Sequence, residues 1–129
     1  MSLFRSDGCE IEVEGDLDMD TVADLESRLA GAIAKGRAPI VLDFGRCTYI
    51  DSSGIRALLR AHRQLLERDG GSSPALAVVG PSASMRRALE LTAIDRVIPI
   101  YQTAVEAFDA LAGGRSLASA PAPNGRRNP

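Results

Sequence analysis

The sequence lacks the long apolar runs and the excess of one charge that would assign it to several common protein classes. No stretch approaches the ~20 apolar residues that a membrane-spanning helix needs. The 15 basic and 17 acidic residues are interspersed and give a net charge of −2, so no broad cationic surface is available for nucleic acid or anionic lipid. We therefore expect a protein that neither inserts into a membrane nor binds nucleic acid.

Cysteine is also scarce. Cys9 and Cys47 are the only two cysteines, and they lack the C-x-x-C spacing that is typical of metal clusters and redox motifs. Two isolated thiols do not make a disulfide framework and suit a reducing compartment. The first seven residues contain no long apolar segment of the kind that directs export. The expected location is the cytoplasm, and neither a metal nor another cofactor is expected.

What the sequence does contain is an alternation of strand-like and helix-like segments within 129 residues, 45% of them hydrophobic. This length and content suit one domain with one buried core. Strand patterns cover residues 9–13, 39–44, 75–79 and 97–101, and helix patterns cover about 21–35, 53–68, 85–91 and 103–112. Because parallel neighbours need crossover connections, this alternation predicts an α/β fold with a mixed sheet of four to five strands and about four helices.

The boundaries of these segments carry further local signals. Gly15-Asp16-Leu17-Asp18 is expected to turn the chain, Thr21 and Asp24 resemble a capping box for the first helix, and Gly36 is expected to end that helix. From Gly113 onward large apolar side chains almost disappear, too few to offset the entropy of ordering the chain. We expect a domain over residues 1–112 and a flexible tail over 113–129.

The most informative segment is Asp51-Ser52-Ser53-Gly54, between a strand-like run and the strongest helix pattern. A hydroxyl in the first turn of a helix lies near unpaired N–H groups and the positive end of the helix dipole, where a phosphate would be held. The same phosphate would add about two negative charges to a neutral surface, enough to abolish a fitted protein contact. Serine and aspartate are equally typical of an ordinary helix cap, and local physics does not separate Ser52 from Ser53.

Two enzyme-like alternatives fit less well. A Ser53 nucleophile with His62 as its base would place the pair on opposite sides of one helix, roughly 13 Å apart along its axis. A phosphoaspartate receiver would need clustered carboxylates and a lysine, whereas Asp43 and Asp51 are the nearby carboxylates and Lys35, the only lysine, lies at the end of the first helix. We expect a binding module without catalytic residues.

Arg56, Arg60 and Arg63 follow spacings of four and three residues along the second helix, which places them on one face. A solvated polar face is the ordinary interpretation of such a stripe. If a partner docks over the serine motif, Arg56 and Arg60 would lie beside the contact and could speed encounter with an acidic surface.

In this order and spacing, the segments resemble the STAS domain family, over roughly residues 9 to 112. The resemblance rests on Gly15 to Asp18, Ile40 to Phe44, Cys47 to Gly54, Gly80 to Ser82 and Leu91 to Asp95. It is strongest with the small stand-alone bacterial anti-sigma factor antagonists of that family.

The resemblance implies a partner switch. The unmodified protein would bind an anti-sigma factor that is also a serine kinase, and so free a sigma factor for transcription. Phosphorylation of Ser53 would break the complex, and a serine phosphatase would reset it. By position, Asp51, Ser52 and Gly54 would surround the phosphoacceptor and contribute to the partner-binding surface.

The sequence departs from the family pattern in two places and leaves one alternative open. Ala93 stands where the family usually has glycine, so we expect the third helix to end differently, and the usual first edge strand is expected to shrink to Leu3-Phe4. A STAS module can also be a constitutive adaptor of a lipid-transport or signalling-scaffold complex. The intact Ser52 and Ser53 favour the phosphorylated switch, although the same serines would also suit a plain cap.

Overall fold

The structure, a computed structural model, describes residues 8–69 and 75–117 and alternates strands with helices. The strands are β1 Cys9–Leu17, β2 Ile40–Ile50, β3 Leu76–Val79 and β4 Ile100–Tyr101, and the helices are α1 Val22–Ala34, α2 Ser52–Asp69, α3 Ala83–Leu91 and α4 Ala104–Leu117. The predicted α/β class and the number of helices are confirmed.

The four strands form one sheet in the order β1-β2-β3-β4, and every strand pair among the described residues is parallel. This part of the sheet is therefore parallel rather than mixed. The edge strand expected at Leu3-Phe4 lies outside the described residues. Parallel pairing places the carboxyl ends of all four strands at one edge, where the loops that lead into the helices begin.

Among the described elements, β2 contributes the largest number of buried apolar side chains. Its side chains at Ile40, Val41, Leu42 and Phe44 are fully buried, as expected of a strand with both faces covered. On one face a large apolar cluster joins the sheet to α1, α2 and α3, whose buried side chains include Leu25, Leu29, Leu58, Leu65, Met85 and Leu89. On the other face α4 covers β2 and β3 through a smaller cluster that includes Val41, Ala77, Val79, Ala107 and Leu111.

Strand β1 has one buried and one solvated face, as its sequence predicts: Ile11 and Val13 are buried and the glutamates between and around them are exposed. The expected turn at Gly15 to Asp18 is wrong for its first three residues. The strand continues to Leu17 because β2 is longer than its apolar run and gives β1 partners, with Asp16 opposite Tyr49 and Leu17 opposite Ile50 after two shifts of register.

Of the two predictions for the ends of α1, the one for its C-terminal end is confirmed and the one for its N-terminal end is wrong. Gly36 has φ +68° and follows the helix as predicted, and the N–H groups of Gly36 and Arg37 donate to the last carbonyls of the helix. The capping box is wrong, since the hydroxyl of Thr21 donates to the Asp16 carbonyl at 2.7 Å and Asp24 pairs with Arg28 instead. In the folded chain, both side chains of the predicted capping box form bonds to other groups instead.

In the last third of the chain, the observed bounds of the strand and the helix differ from the predicted ones. The strand predicted over residues 97–101 is reduced to Ile100–Tyr101, because residues Ile94–Arg96 form a 3₁₀ turn ahead of it. Helix α4 continues to Leu117, past the predicted domain boundary at residue 112, and the remainder of the predicted tail lies outside the described residues. None of the helices within residues 8–69 and 75–117 is both long and apolar enough to cross a bilayer.

Ala93 follows α3 and takes the left-handed conformation that glycine would take, with φ 61° and ψ 16°. The N–H of Ala93 donates to the Glu90 carbonyl at 3.0 Å, and the Thr92 hydroxyl donates to the carbonyls of Ala88 and Leu89. The expectation that α3 ends differently is therefore wrong. These hydrogen bonds hold an alanine where its Cβ is unfavourable.

Replacing Ala93 by glycine should remove that unfavourable contact. We expect Ala93→Gly to raise the free energy of unfolding by up to about 1 kcal/mol, measured by urea denaturation. Ala30→Gly, at an exposed position inside α1, is the control and should lower it by about 1 kcal/mol. Equal losses of stability in the two variants would show that the backbone at residue 93 is not strained.

Candidate functional site

The Asp51-Ser52-Ser53-Gly54 segment lies at the carboxyl edge of the sheet, where β2 ends at Ile50 and α2 begins at Ser52. The N–H of Asp51 donates to the carbonyl of Leu17, the last residue of β1, at 3.2 Å. This bond ties the start of α2 to the neighbouring strand. The segment is consequently held beside the loop that leads from β1 into α1.

Asp51 caps α2. Its Oδ1 accepts the N–H of Ser53 at 2.8 Å and the N–H of Gly54 at 3.3 Å, and its main-chain carbonyl accepts the N–H of Ile55 at 3.0 Å. These are the bonds of an N-cap residue, which satisfies N–H groups that the first helical turn leaves free. From the sequence, either the aspartate or a serine could have filled this role.

Because Asp51 is the N-cap residue, neither serine hydroxyl is needed to cap α2. Among the described residues, neither the Ser52 nor the Ser53 hydroxyl engages in a hydrogen bond. Ser52 is exposed and Ser53 is half-buried in the first turn of α2. Both hydroxyls lie near the positive end of the helix dipole, which favours an added anion. The Asp51 carboxylate already occupies two of the N–H groups there, so a phosphate on Ser53 would compete with it.

Gly54 is buried because α2 approaches the strands closely at this point. A Cβ at residue 54 would lie 2.7 Å from Cγ1 of Ile50 and 2.9 Å from Cγ of Leu17, both too close for a real contact. The glycine is required by packing rather than by its backbone angles. Its role in the motif is to let the first turn of α2 rest against the ends of β1 and β2.

Gly54→Ala should therefore overpack this junction. We expect it to lower the free energy of unfolding by about 1–3 kcal/mol, less the gain in helix propensity of up to about 1 kcal/mol. Gly31→Ala in α1 is the matched control, because nothing lies within 4 Å of its Cβ position and the change should stabilise the protein. Denaturation curves of both variants test this, and a Gly54→Ala protein as stable as Gly31→Ala would contradict it.

The arginine stripe on α2 is partly engaged. Nη1 of Arg60 lies 2.8 Å from Oε2 of Glu26 on α1, so this cation bridges the two helices. Within the described part of the chain, Arg56 and Arg63 form no ion pair, and both are exposed. No local sequence signal points to the Glu26 partner, which is 34 positions from Arg60. A role of Arg56 and Arg60 in partner binding stays a prediction.

His62 lies on α2 and is half-buried, as its place on the apolar stripe predicted. Its Nδ1 is buried and has no hydrogen-bond partner among the described residues. Burial lowers the pKa of His62 from its usual value, because the charged imidazolium loses solvation. The structure shows no contact between His62 and Ser53 of the kind that a catalytic pair requires.

The lowered pKa of His62 makes stability depend on pH. The neutral imidazole is favoured in the folded state, so its contribution is full above the unfolded pKa of about 6.5 and is lost as the pH falls through the folded value. Between about pH 7.5 and about pH 5.5, the wild-type protein should lose more unfolding free energy than His62→Leu, in which residue 62 cannot take up a proton. Equal losses in both proteins would contradict this account.

The receiver-like arrangement is not assembled. Oδ1 of Asp43 accepts the N–H of Gly45 at 2.8 Å, and Asp43 lies within β2, away from Asp51 at its end. Lys35 is the C-terminal cap residue of α1, at the opposite end of that helix from the carboxyl edge of the sheet. In residues 8–69 and 75–117, no group of three or more His, Cys, Asp or Glu side chains is placed to hold a metal ion.

The sequence also matches a known protein family. Residues 3–100 match the family model described as "Mlab, STAS domain". The chain belongs to the STAS domain family. The match covers β1 to β3, the serine motif and α3, and it ends at Ile100, the first residue of β4.

Two relatives match most of the chain. The anti-sigma-F factor antagonist RsfB of Mycobacterium tuberculosis is 24% identical over 105 residues, which cover 81% of this chain and 82% of RsfB. The crystal structure of an anti-sigma factor antagonist from Mycobacterium paratuberculosis superposes with a TM-score of 0.71 at 25% identity, covering 84% of this chain and 89% of that one.

The anti-sigma factor antagonist SpoIIAA superposes in two states. Its unphosphorylated form gives a TM-score of 0.68 at 23% identity and covers 87% of this chain and 94% of its own. The phosphorylated form of the Bacillus protein gives 0.60 at 24% identity, covering 84% and 95%. At these identities the likeness to SpoIIAA concerns the fold.

Proposed function

We propose that this protein is an anti-sigma factor antagonist whose binding is controlled by phosphorylation of Ser53. When unphosphorylated it binds an anti-sigma factor with serine kinase activity, and the sigma factor is freed to direct transcription. Phosphorylation of Ser53 by that kinase releases the antagonist, and a serine phosphatase restores it. The protein is then a cytoplasmic binding module rather than an enzyme.

The observation that carries this proposal is the division of roles at the start of α2. Asp51 supplies the cap, so Ser52 and Ser53 are not needed to satisfy the helix. Within the part of the chain that the structure describes, neither hydroxyl forms a hydrogen bond, so both are available for modification without loss of the cap. The names of RsfB and of the Mycobacterium paratuberculosis relative support the class of partner. The choice of Ser53 over Ser52 follows the family resemblance.

The charge near Ser53 explains how a phosphate would act. The modification adds about two negative charges two residues from Asp51, whose carboxylate already accepts the N–H groups of Ser53 and Gly54. The phosphate must either displace that carboxylate or remain exposed beside it. In both cases a partner fitted to the unmodified surface would meet an added anion, either the phosphate or the displaced Asp51 carboxylate, which costs several kcal/mol when it is buried unpaired.

The proposal is tested by charge at residue 53. We expect Ser53→Asp to bind a purified anti-sigma factor of the source organism at least tenfold more weakly than Ser53→Ala, measured by titration calorimetry, because the carboxylate mimics part of the phosphate charge. Ser84→Asp is the matched control. Ser84 is likewise a serine at the second helical position, in α3, although it is exposed where Ser53 is half-buried, and Ser84→Asp should bind like the wild type.

Three results would count against the switch. Equal binding by Ser53→Asp and Ser53→Ala would remove residue 53 from control of the complex. Equal weakening by Ser53→Asp and Ser84→Asp would indicate a general charge effect. A phosphopeptide map of protein recovered from its own cells without phosphate on Ser53, under all growth conditions, would favour a constitutive STAS adaptor.

A further inference from the structure

The loop between β1 and α1 is a tightly hydrogen-bonded turn. Oδ1 of Asp18 accepts the N–H groups of Asp20 at 3.0 Å and Thr21 at 3.2 Å, and the N–H of Asp18 donates to the Thr21 hydroxyl at 3.0 Å. The same hydroxyl donates to the Asp16 carbonyl at 2.7 Å. These bonds close the turn at both ends and give residues 18–21, here called the β1–α1 turn, one conformation.

This turn displays an apolar side chain to solvent. Met19 is 75% exposed although the backbone on either side of it is firmly held. Tyr49, which is opposite Asp16 in the strand register, is 52% exposed at the end of β2. Two large apolar side chains therefore project from neighbouring strand ends. Single exposed apolar residues are common on protein surfaces, so the neighbourhood decides their meaning.

The turn that carries Met19 is joined to the serine motif through Leu17. The carbonyl of Leu17, two residues before Met19, accepts the N–H of Asp51 at 3.2 Å. The side chain of Leu17 is also the one against which Gly54 packs. The β1–α1 turn and the first turn of α2 are thus parts of one rigid corner at the carboxyl edge of the sheet.

Charge on this corner is arranged in two halves. Asp18 and Asp20 flank Met19 in the chain, and Asp16, three residues before it, accepts the Thr48 hydroxyl through Oδ1 at 2.8 Å. Within the described residues the Asp20 carboxylate engages in neither a hydrogen bond nor an ion pair. On the other side of the motif α2 presents Arg56 and Arg63. A partner that covers the corner meets an acidic half around an apolar anchor and a basic half along the helix. Such polarity fixes the orientation of docking.

We propose that the partner-binding surface extends from the serine motif onto the β1–α1 turn, with Met19 as its apolar anchor. This inference rests on the proposed function and specifies the chemistry of the anti-sigma factor. Its contact surface holds an apolar depression for the Met19 side chain and cationic side chains opposite Asp16 and Asp20. An unbranched thioether adapts to such a depression, and its burial supplies binding energy that the polar motif lacks.

An apolar anchor next to Ser53 also accounts for release. If a partner seals Met19 and Tyr49 from water, a phosphate on Ser53 would lie at the margin of a dry contact, where an anion is strongly disfavoured. The cationic groups of the partner would face the β1–α1 turn and be paired there with Asp16 and Asp20. They would be unable to neutralise the new charge without leaving those carboxylates unpaired.

Another exposed apolar residue provides a comparison. Leu91 is 77% exposed, close to the value for Met19, and it ends α3. Because α3 returns the chain to the start of β4, Leu91 lies at the amino edge of the sheet, away from the serine motif. A contact that depends on Met19 because of its position should not depend on Leu91.

The test compares serine substitutions at these two positions in the full chain. Binding of the wild type, Met19→Ser and Leu91→Ser to the purified anti-sigma factor would be measured by titration calorimetry. Met19→Ser should bind about tenfold or more weakly, as expected for an anchor residue, and Leu91→Ser should bind like the wild type. Met19→Leu should keep most of the affinity. The exposure of Met19 means that its variants should unfold at the same denaturant concentration as the wild type.

The charge of the partner is tested separately through Asp20. Asp20→Lys should slow association several-fold at low salt, and the difference from wild type should shrink as salt is added, because the attraction is screened. Faster association of Asp20→Lys would mean that the partner is acidic opposite the turn and would overturn the predicted chemistry.

The possible failures are distinguishable. If the wild type binds no anti-sigma factor, the proposed function fails. If the wild type binds and Met19→Ser binds equally well, the function stands and the anchor is wrong. If the wild type sediments as a dimer that Met19→Ser dissociates, the turn is a contact between two copies of this chain, and the inference is overturned.

Discussion

The arrangement of this molecule depends on the contact between the first turn of α2 and the last residues of β1 and β2. Gly54 has no side chain to keep the helix away from Leu17 and Ile50, and the N–H of Asp51 bonds to the Leu17 carbonyl. Without this close approach the helix would start at a variable distance from the sheet. The serine hydroxyls and the β1–α1 turn would then lack a fixed relation to each other, and no partner could be fitted to both.

Elements whose pattern is contained in their own residues could be predicted from the sequence. The alternation in β1, the apolar run of β2 and the apolar stripe of α2 each reflect burial that repeats with the period of the element. Boundaries set by a neighbour could not be predicted in this way. Residues 15–17 remain in a strand because β2 offers partners as far as Ile50, and the capping box at Thr21 was lost to a carbonyl five residues earlier.

In the candidate site, too, local features could be predicted from the sequence and contacts between distant segments could not. Cap chemistry and the family resemblance identified the tetrapeptide, but Asp51, Ser52 and Ser53 are all residues that favour helix starts, so only the observed bonds show that Asp51 is the cap. The pairing of Arg60 with Glu26 joins two helices and has no local signal in either segment. Met19 was missed for a related reason. An isolated methionine in a polar loop has no periodicity, and its significance comes from the rigid turn and from the motif beside it.

The role of Asp51 connects stability with control. A serine that capped its own helix would make the helix less stable when modified, and phosphorylation would then act on the fold as well as on the contact. Here the carboxylate of Asp51 holds the N–H groups of Ser53 and Gly54. A phosphate on Ser53 therefore finds the two nearest N–H donors occupied by a carboxylate. If the phosphate displaces that carboxylate it accepts the same N–H groups, so the helix start remains capped in either case. The added charge is directed outward, onto the surface that a partner would cover, and the free energy of the modification acts on binding more than on folding.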